Sequence, residues 1–243
     1  MRLETPVVYF HPSPGRPPME HVEVAASFRG GWLSEFYPDA DAQAPGIRRE
    51  TGEIGHLLAS TVGALAWHDL TVGGEVTGPA TAEHVWTAPR AVRAAAVQTA
   101  DGEIERFLFY RGVAHIDAPI AVTRDAADGE LTLESRLAPE LAAAAPLEVD
   151  AAWLVDVRAD GAVAYRSMPP VRLPAERRVL ARISGRFAPA EYRDGNQERL
   201  QSAVHEALVA AGLYDDEARA LLSTWERGRG ATATVPESRR VDR

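Results

Sequence analysis

Asp-Gly pairs punctuate this chain at spacings that leave room for little but antiparallel strands. Asp101-Gly102 separates residues 91–97 from 104–110, Asp128-Gly129 separates 120–123 from 131–134, and Asp160-Gly161 separates 152–157 from 162–165. Each pair offers a residue that accepts positive φ at a tight corner, and each is flanked by β-prone side chains. Connections this short reach only an antiparallel neighbour, because a parallel one needs a crossover of about a dozen residues or more. Upstream, residues 7–10, 21–28, 32–37 and 64–72 also read as short strands. In 21–28, Val22, Val24 and Phe28 alternate with Glu23 and Ser27, as one buried and one wet face require. Gly30-Gly31 and Gly73-Gly74 read as turns, and residues 40–52 as a long polar loop. The expected fold is mainly β, an antiparallel β-sandwich with a C-terminal helical hairpin.

The pattern changes near residue 187. Asp194 is the expected N-cap of a helix with Gln197 in the capping-box position. Leu200, Val204, Ala207, Leu208 and Ala211 then form one apolar stripe, and Gly212 fits the position just past the helix end, with Leu213 folding back. Asp215 or Asp216 is the expected cap of a second helix carrying Leu221, Leu222 and Trp225. The predicted organisation is a β-sandwich domain over 1–187, a helical hairpin packed on it over 188–228, and a flexible tail over 229–243.

Composition narrows the chemistry. All 26 basic residues are Arg, so lysine Schiff bases and P-loop lysines are excluded. Cysteine is absent, which removes disulfides, thiolate nucleophiles and cysteine-held metals. A net charge of -9 opposes binding to nucleic acid, and no apolar run is long enough to span a bilayer. Met1-Arg-Leu-Glu-Thr-Pro6 lacks the apolar segment of a signal peptide. The expected location is therefore the cytoplasm, or the periplasm or cell surface if a signal peptide is omitted from this sequence.

Four blocks stand out in order: Glu4-Thr-Pro-Val-Val-Tyr-Phe-His11, Ser34-Glu-Phe-Tyr-Pro38, Glu105-Arg-Phe-Leu-Phe-Tyr-Arg-Gly112 and Ala207-Leu-Val-Ala-Ala-Gly-Leu-Tyr-Asp-Asp-Glu-Ala218. The chain resembles an uncharacterised family of bacterial proteins with recurring ETPVxYFY, EWYP, ERFLFYRG and GLYxxEA blocks. His11 stands where that pattern has Tyr, and Phe36 where it has Trp. Members often look exported, and the resemblance implies no activity.

The same blocks hold the candidate site residues. Alternation in 105–111 puts Phe107, Phe109 and Arg111 on one side with Glu105, and Arg106, Leu108 and Tyr110 on the other. A charge on a core-facing side must be paired. The segment therefore holds either a structural Glu–Arg pair or a ligand-gripping set built from Arg106, Tyr110 and Arg111. Tyr9 and His11 share a face, and meet Glu35 and Tyr37 if the first and third strands are neighbours. Glu4, Glu35, Glu105 and His11 are weak catalytic candidates; Tyr9, Tyr37, Arg106, Tyr110 and Arg111 are the binding candidates. His56, His68 and His84 are the least unfavourable metal donors, but no metal-ligand motif occurs, and no metal or other cofactor is expected. His68 and Asp69 are adjacent, so a regular strand points them apart.

The functional expectation is a noncatalytic structural or protein-interaction role, with the bacterial cell envelope as its setting. Two alternatives stand beside it. One is a carboxylate-dependent glycoside or peptide hydrolase, which needs Glu35 and a second carboxylate such as Glu4 or Glu105 converging in an open cleft. The other is a carbohydrate-binding module presenting exposed Trp or Tyr. The expected partner is a protein or a carbohydrate.

Overall fold

The computed structural model describes residues 2–3, 7–48, 53–75, 78–80, 84–114, 118–137, 147–174 and 176–228. Glu4, the tail over 229–243 and the Trp225 and His84 side chains, each named above, lie outside that description. Among the described residues the protein is mainly β, with 43% strand and 17% helix, and two of its helices follow one another at the C-terminal end. Among the described residues, no helix is long and apolar enough to cross a membrane. The chain divides into two compact units, Met1–Ile116 with Tyr214–Arg243, and Asp117–Leu213. The two C-terminal helices belong to different units.

The first unit is built on a curled half-barrel sheet. Its strands are β1 (Arg2–Leu3), β2 (Val7–Val8), β3 (Met19–Arg29), β4 (Gly31–Tyr37), β5 (Asp41–Gln43), β6 (Ile47–Arg48), β7 (Glu53–Ile54), β8 (Val62–Val72), β9 (Val97–Gln98), β10 (Ile104–Glu105) and β11 (Leu108–Ala114). β6 and β7 pair only with each other; the other nine form the sheet, along the path β1-β11-β4-β8-β9-β10. β2 adds to β11, and β3 and β5 add to β8. The expected polar loop over 40–52 carries β5, where Ala42 turns inward against the core, and β6, which pairs with β7. Residues 91–97 were expected as a strand; only Val97 enters the sheet, after a short helix, His84–Arg90.

The long pair β3·β8 shows how sequence parity shapes the sheet. Leu65 and Trp67 are buried, and so are Leu70 and Val72, although odd and even positions should face opposite ways. A bulge reconciles them. Val22 pairs Leu70 while Val24 pairs Trp67, so β8 holds one extra residue, and Asp69 takes positive φ there. A complementary slip in β3 lies between Met19 and Val22, where His21 takes positive φ. The bulge leaves both His68 and Asp69 exposed, where strict alternation would turn one of them inward. Leu33, Leu65, Trp67, Leu70, Val97 and Leu108 form the core inside the curl.

β11 runs between β2 and β4, with Phe109 paired to Val7 on one side and Tyr37 on the other. The first and third strand segments are thus separated by β11, and Tyr9 and His11 are not placed beside Glu35 and Tyr37. The β4·β11 register slips between Arg111 and Gly112. There the backbones approach so closely that a Cβ on Gly112 would lie 1.9 Å from the Trp32 carbonyl oxygen. The C-terminal helix, Asp215–Gly228, packs on the short helix His84–Arg90. Its aspartates Asp215 and Asp216 sit inside the first turn rather than at a cap, and the Tyr214 N–H donates to the Glu217 carboxylate at 2.7 Å.

The second unit holds β12 (Ile120–Arg124), β13 (Glu130–Ser135), β14 (Leu147–Val149), β15 (Ala152–Val157), β16 (Val163–Met168), β17 (Val171–Leu173) and β18 (Arg178–Ser184). β12 and β13 pair antiparallel across Gly129, and β15 and β16 across Gly161; in the first unit β9 and β10 pair across Gly102. All three glycines have positive φ, as their turns require. The helix Asn196–Ala210 lies on β16, and its buried Asn196 donates to the Val163 carbonyl at 2.7 Å. Asp194 does not cap this helix; Gly195 occupies the N-cap in the left-handed region, which frees Asn196 for that inward contact. The C-terminus matches its expectation. Gly212 has positive φ, its N–H donates to the Val209 carbonyl, and the Leu213 N–H donates to the Leu208 carbonyl.

Candidate binding cleft

In the first unit, the end of β4, the short helix and β11 enclose an open cleft of about 650 Å³. The helix delivers Trp86 and Arg90, four residues apart and so on one side of it. Trp86 stands with its edge against Phe109, ring centroids 4.8 Å apart, and lies parallel to Phe107 at 6.5 Å. Phe107 is fully buried, so the indole is anchored from behind while part of it stays accessible. β4 supplies Ser34, Glu35 and Tyr37, and Asp39 follows just beyond it.

Both arginines at the cleft are internally committed. Arg90 donates from Nε to both Glu105 oxygens at 3.1 and 3.0 Å, from Nη2 to Oε2 at 2.5 Å, and from Nη1 to the Pro79 carbonyl at 2.6 Å. Glu105 is 0% exposed and also accepts the Arg106 N–H at 2.8 Å. The paired reading of Glu105 is therefore the structural one, with Arg90 as its partner. Arg111 donates from Nε to Glu35 at 2.6 Å and lies 6.0 Å from the Phe109 ring centroid. Burial, then the Glu103 and Glu105 charges, push the Tyr37 phenol above its ordinary pKa, against the opposing pull of Arg90. Tyr37 thus stays a neutral donor. The Asp39 N–H donates to Glu103 at 2.6 Å, which fixes the backbone beside its own exposed carboxylate. Ser34 Oγ, the Tyr37 hydroxyl and the Asp39 carboxylate have no partner among the described residues.

Glu35 and Tyr37 line this cleft, and Arg111 adjoins it through Glu35. The other candidates lie elsewhere. Tyr9 donates to the Pro89 carbonyl at 3.1 Å and packs its ring on Phe107. Burial, then the charges of Glu217, Asp216 and Glu105, hold its phenol far above the ordinary value. His11 bonds Glu217 at 2.9 Å and stacks beside Tyr214, fastening the C-terminal helix. Arg106 donates to the Ala94 carbonyl at 3.0 Å, and its Nε is buried without a partner among the described residues. Tyr110 packs beside Trp67 in the core. Arg90 and Asp39 were not singled out from sequence; Trp86, with Trp32, Trp67, Trp153 and Trp225, reads there as a core filler first and a sugar- or partner-stacking ring second. The spacing of Trp86 and Arg90 was the available signal, and Pro89 between them masked it as helix.

A second polar cluster lies on the bulge of β3 and β8. His21 Nδ1 and Asp69 are 2.5 Å apart, His68 Nδ1 and Glu23 are 2.5 Å apart, and Glu23 also accepts the Asp69 N–H at 3.0 Å. That last bond satisfies a donor in the disrupted ladder. Among the described residues, no group of three His, Asp or Glu side chains has a metal-holding arrangement. The hydrogen bond to Asp69, then its charge, raises the His21 pKa above 6.5. Because the folded value is raised, this pair favours folding fully at pH below the ordinary histidine value. Its contribution is lost as pH rises through the folded value. An NMR titration of His21 should give a midpoint above that in Asp69→Asn; equal midpoints would break the assignment.

Compared with known proteins, the chain matches no family model, no curated protein and no solved structure.

Proposed function

We propose that this protein is a noncatalytic recognition protein whose first unit binds a ligand in the cleft between β4 and the short helix. The observation that carries this reading is that a partly accessible Trp86, backed by Phe107 and Phe109, lines one cleft with Ser34, Tyr37 and Asp39, whose polar groups have no partner among the described residues. Small-ligand sites combine apolar walls with a few converging polar groups in this way. The carboxylates named for a hydrolase favour it less. Glu105 is sealed beneath Arg90, and Glu35 is paired with Arg111. His11, the remaining proton-transfer candidate among the described residues, is bonded to Glu217 away from the cleft lining.

The reading is tested with protein labelled with 5-fluorotryptophan, the Trp86 fluorine signal being assigned through Trp86→Phe. A library of small polar fragments should shift the Trp86 signal selectively and be recovered unchanged. Shifts confined to the other tryptophans would overturn the site, and turnover abolished by Glu35→Gln would overturn the noncatalytic assignment.

A further inference from the structure

We infer that the cleft takes an uncharged polyhydroxyl ring, a neutral pyranose of an oligosaccharide, stacked on Trp86 and hydrogen-bonded to Asp39, Tyr37 and Ser34. This inference rests on the reading of the cleft as a binding site and names its ligand class.

The charges around the cleft decide against the other classes. An anion needs free cationic donors. The Arg90 charge is held by Glu105, which with the Pro79 carbonyl takes three of its five N–H groups, and Arg111 is bound to Glu35. These two pairs cancel and leave Asp39 as the uncompensated charge in the lining, which repels an anion. A cation gains from Asp39 and from the indole face, but it must sit beside Arg90 on the lining and Arg111 near the Phe109 ring. With both guanidiniums paired that proximity costs little; what a cation leaves unmatched is the Tyr37 phenol, a donor that needs an acceptor. A purely apolar ligand would cover the Asp39 carboxylate and the Tyr37 hydroxyl without replacing their water hydrogen bonds.

A neutral sugar ring has none of these conflicts. Its C–H face suits the anchored indole, which loses little freedom on binding because Phe107 and Phe109 already hold it. Its hydroxyls donate to the ionised Asp39, a charge-assisted bond. They also accept from the neutral Tyr37 phenol and exchange bonds with Ser34, whose hydroxyl both donates and accepts. The lining thus offers an acceptor, a donor and a group that is both, which matches a hydroxyl array better than any single functional group.

Calorimetric titration of the full chain with neutral tri- to hexasaccharides tests the inference, with uronate oligosaccharides and tetramethylammonium as charged comparators. At least one neutral oligosaccharide should bind, and neither comparator should compete with it. Trp86→Ala should weaken binding about tenfold or more, with Trp86→Phe recovering part of the loss. Asp39→Asn and Tyr37→Phe alter only polar groups and should each weaken it severalfold, while His68→Ala on the bulge should leave it unchanged. Binding indifferent to Trp86→Ala and to Asp39→Asn would overturn the inference. So would fluorine shifts of Trp86 produced by the comparators but by no neutral saccharide, and in that case the cleft would remain a binding site. Failure of every probe and fragment to move the Trp86 signal would overturn both readings together.

Discussion

Replacing Arg90 with Met should lower the unfolding free energy by about 3–5 kcal/mol, the cost of leaving a buried charge without its partner. The carboxylate of Glu105 is wholly enclosed, and Arg90 supplies three of the four hydrogen bonds described above that it accepts. Only the Arg106 N–H would remain. Gly78 packs against the same carboxylate; a Cβ there would lie 3.2 Å from both oxygens. Arg90→Lys should be nearly as damaging, since an ammonium cannot reproduce the fork that meets both Glu105 oxygens and the Pro79 carbonyl. The double variant Arg90→Met with Glu105→Leu should recover most of the loss, because it removes the stranded charge along with its partner. Urea unfolding, followed through amide exchange on β11 so that the first unit is read by itself, measures all three. If Arg90→Met stays within about 1 kcal/mol of wild type, the pair is not carrying the fold in the way burial implies.

That pair also shows which parts of this protein are legible in one sequence. The need of Glu105 for a partner follows from its place among Phe107, Leu108 and Phe109. The identity of the partner does not, because Arg90 arrives on a helix of seven residues with Pro89 inside it. A turn this short has no sustained stripe of apolar side chains, so periodicity carries no signal. The Asp-Gly hairpins are legible for the opposite reason. Each is closed by local backbone geometry, and the positive φ of Gly102, Gly129 and Gly161 needs no distant contact. Gly212 ends its helix on the same local terms. The curl of the main sheet, by contrast, depends on non-local register. Leu65, Trp67, Leu70 and Val72 cannot all face inward along a regular strand, and that break in alternation is the sequence trace of the bulge. Within the cleft, Glu35 and Tyr37 are found by reading β4 alone. Asp39 follows two residues further along the same segment, whereas Trp86 joins them only after β11 has brought the strand and the short helix together.

The same dependence of the cleft on distant packing makes Trp67 the second position of large effect. Its side chain is 1% exposed among Leu33, Leu65, Leu70 and Leu108, and its indole N–H donates to the Pro38 carbonyl at 3.0 Å. Trp67→Ala should cost about 3–5 kcal/mol, the usual range for emptying a buried aromatic site. Trp67→Phe separates the two contributions. It keeps much of the packed volume but leaves the Pro38 carbonyl without its donor, for an expected loss of about 1–3 kcal/mol. Pro38 joins Tyr37 to Asp39, so this carbonyl is where the core holds the polar edge of the cleft. Faster amide exchange at Tyr37 and Asp39 should therefore accompany Trp67→Phe. Ligand binding should weaken as well, although Trp67 is not part of the cleft lining. Full protection at those amides, with global stability reduced, would mean that β4 holds its end through its pairing to β11 alone. The Trp67–Pro38 bond would then serve the core without positioning the cleft.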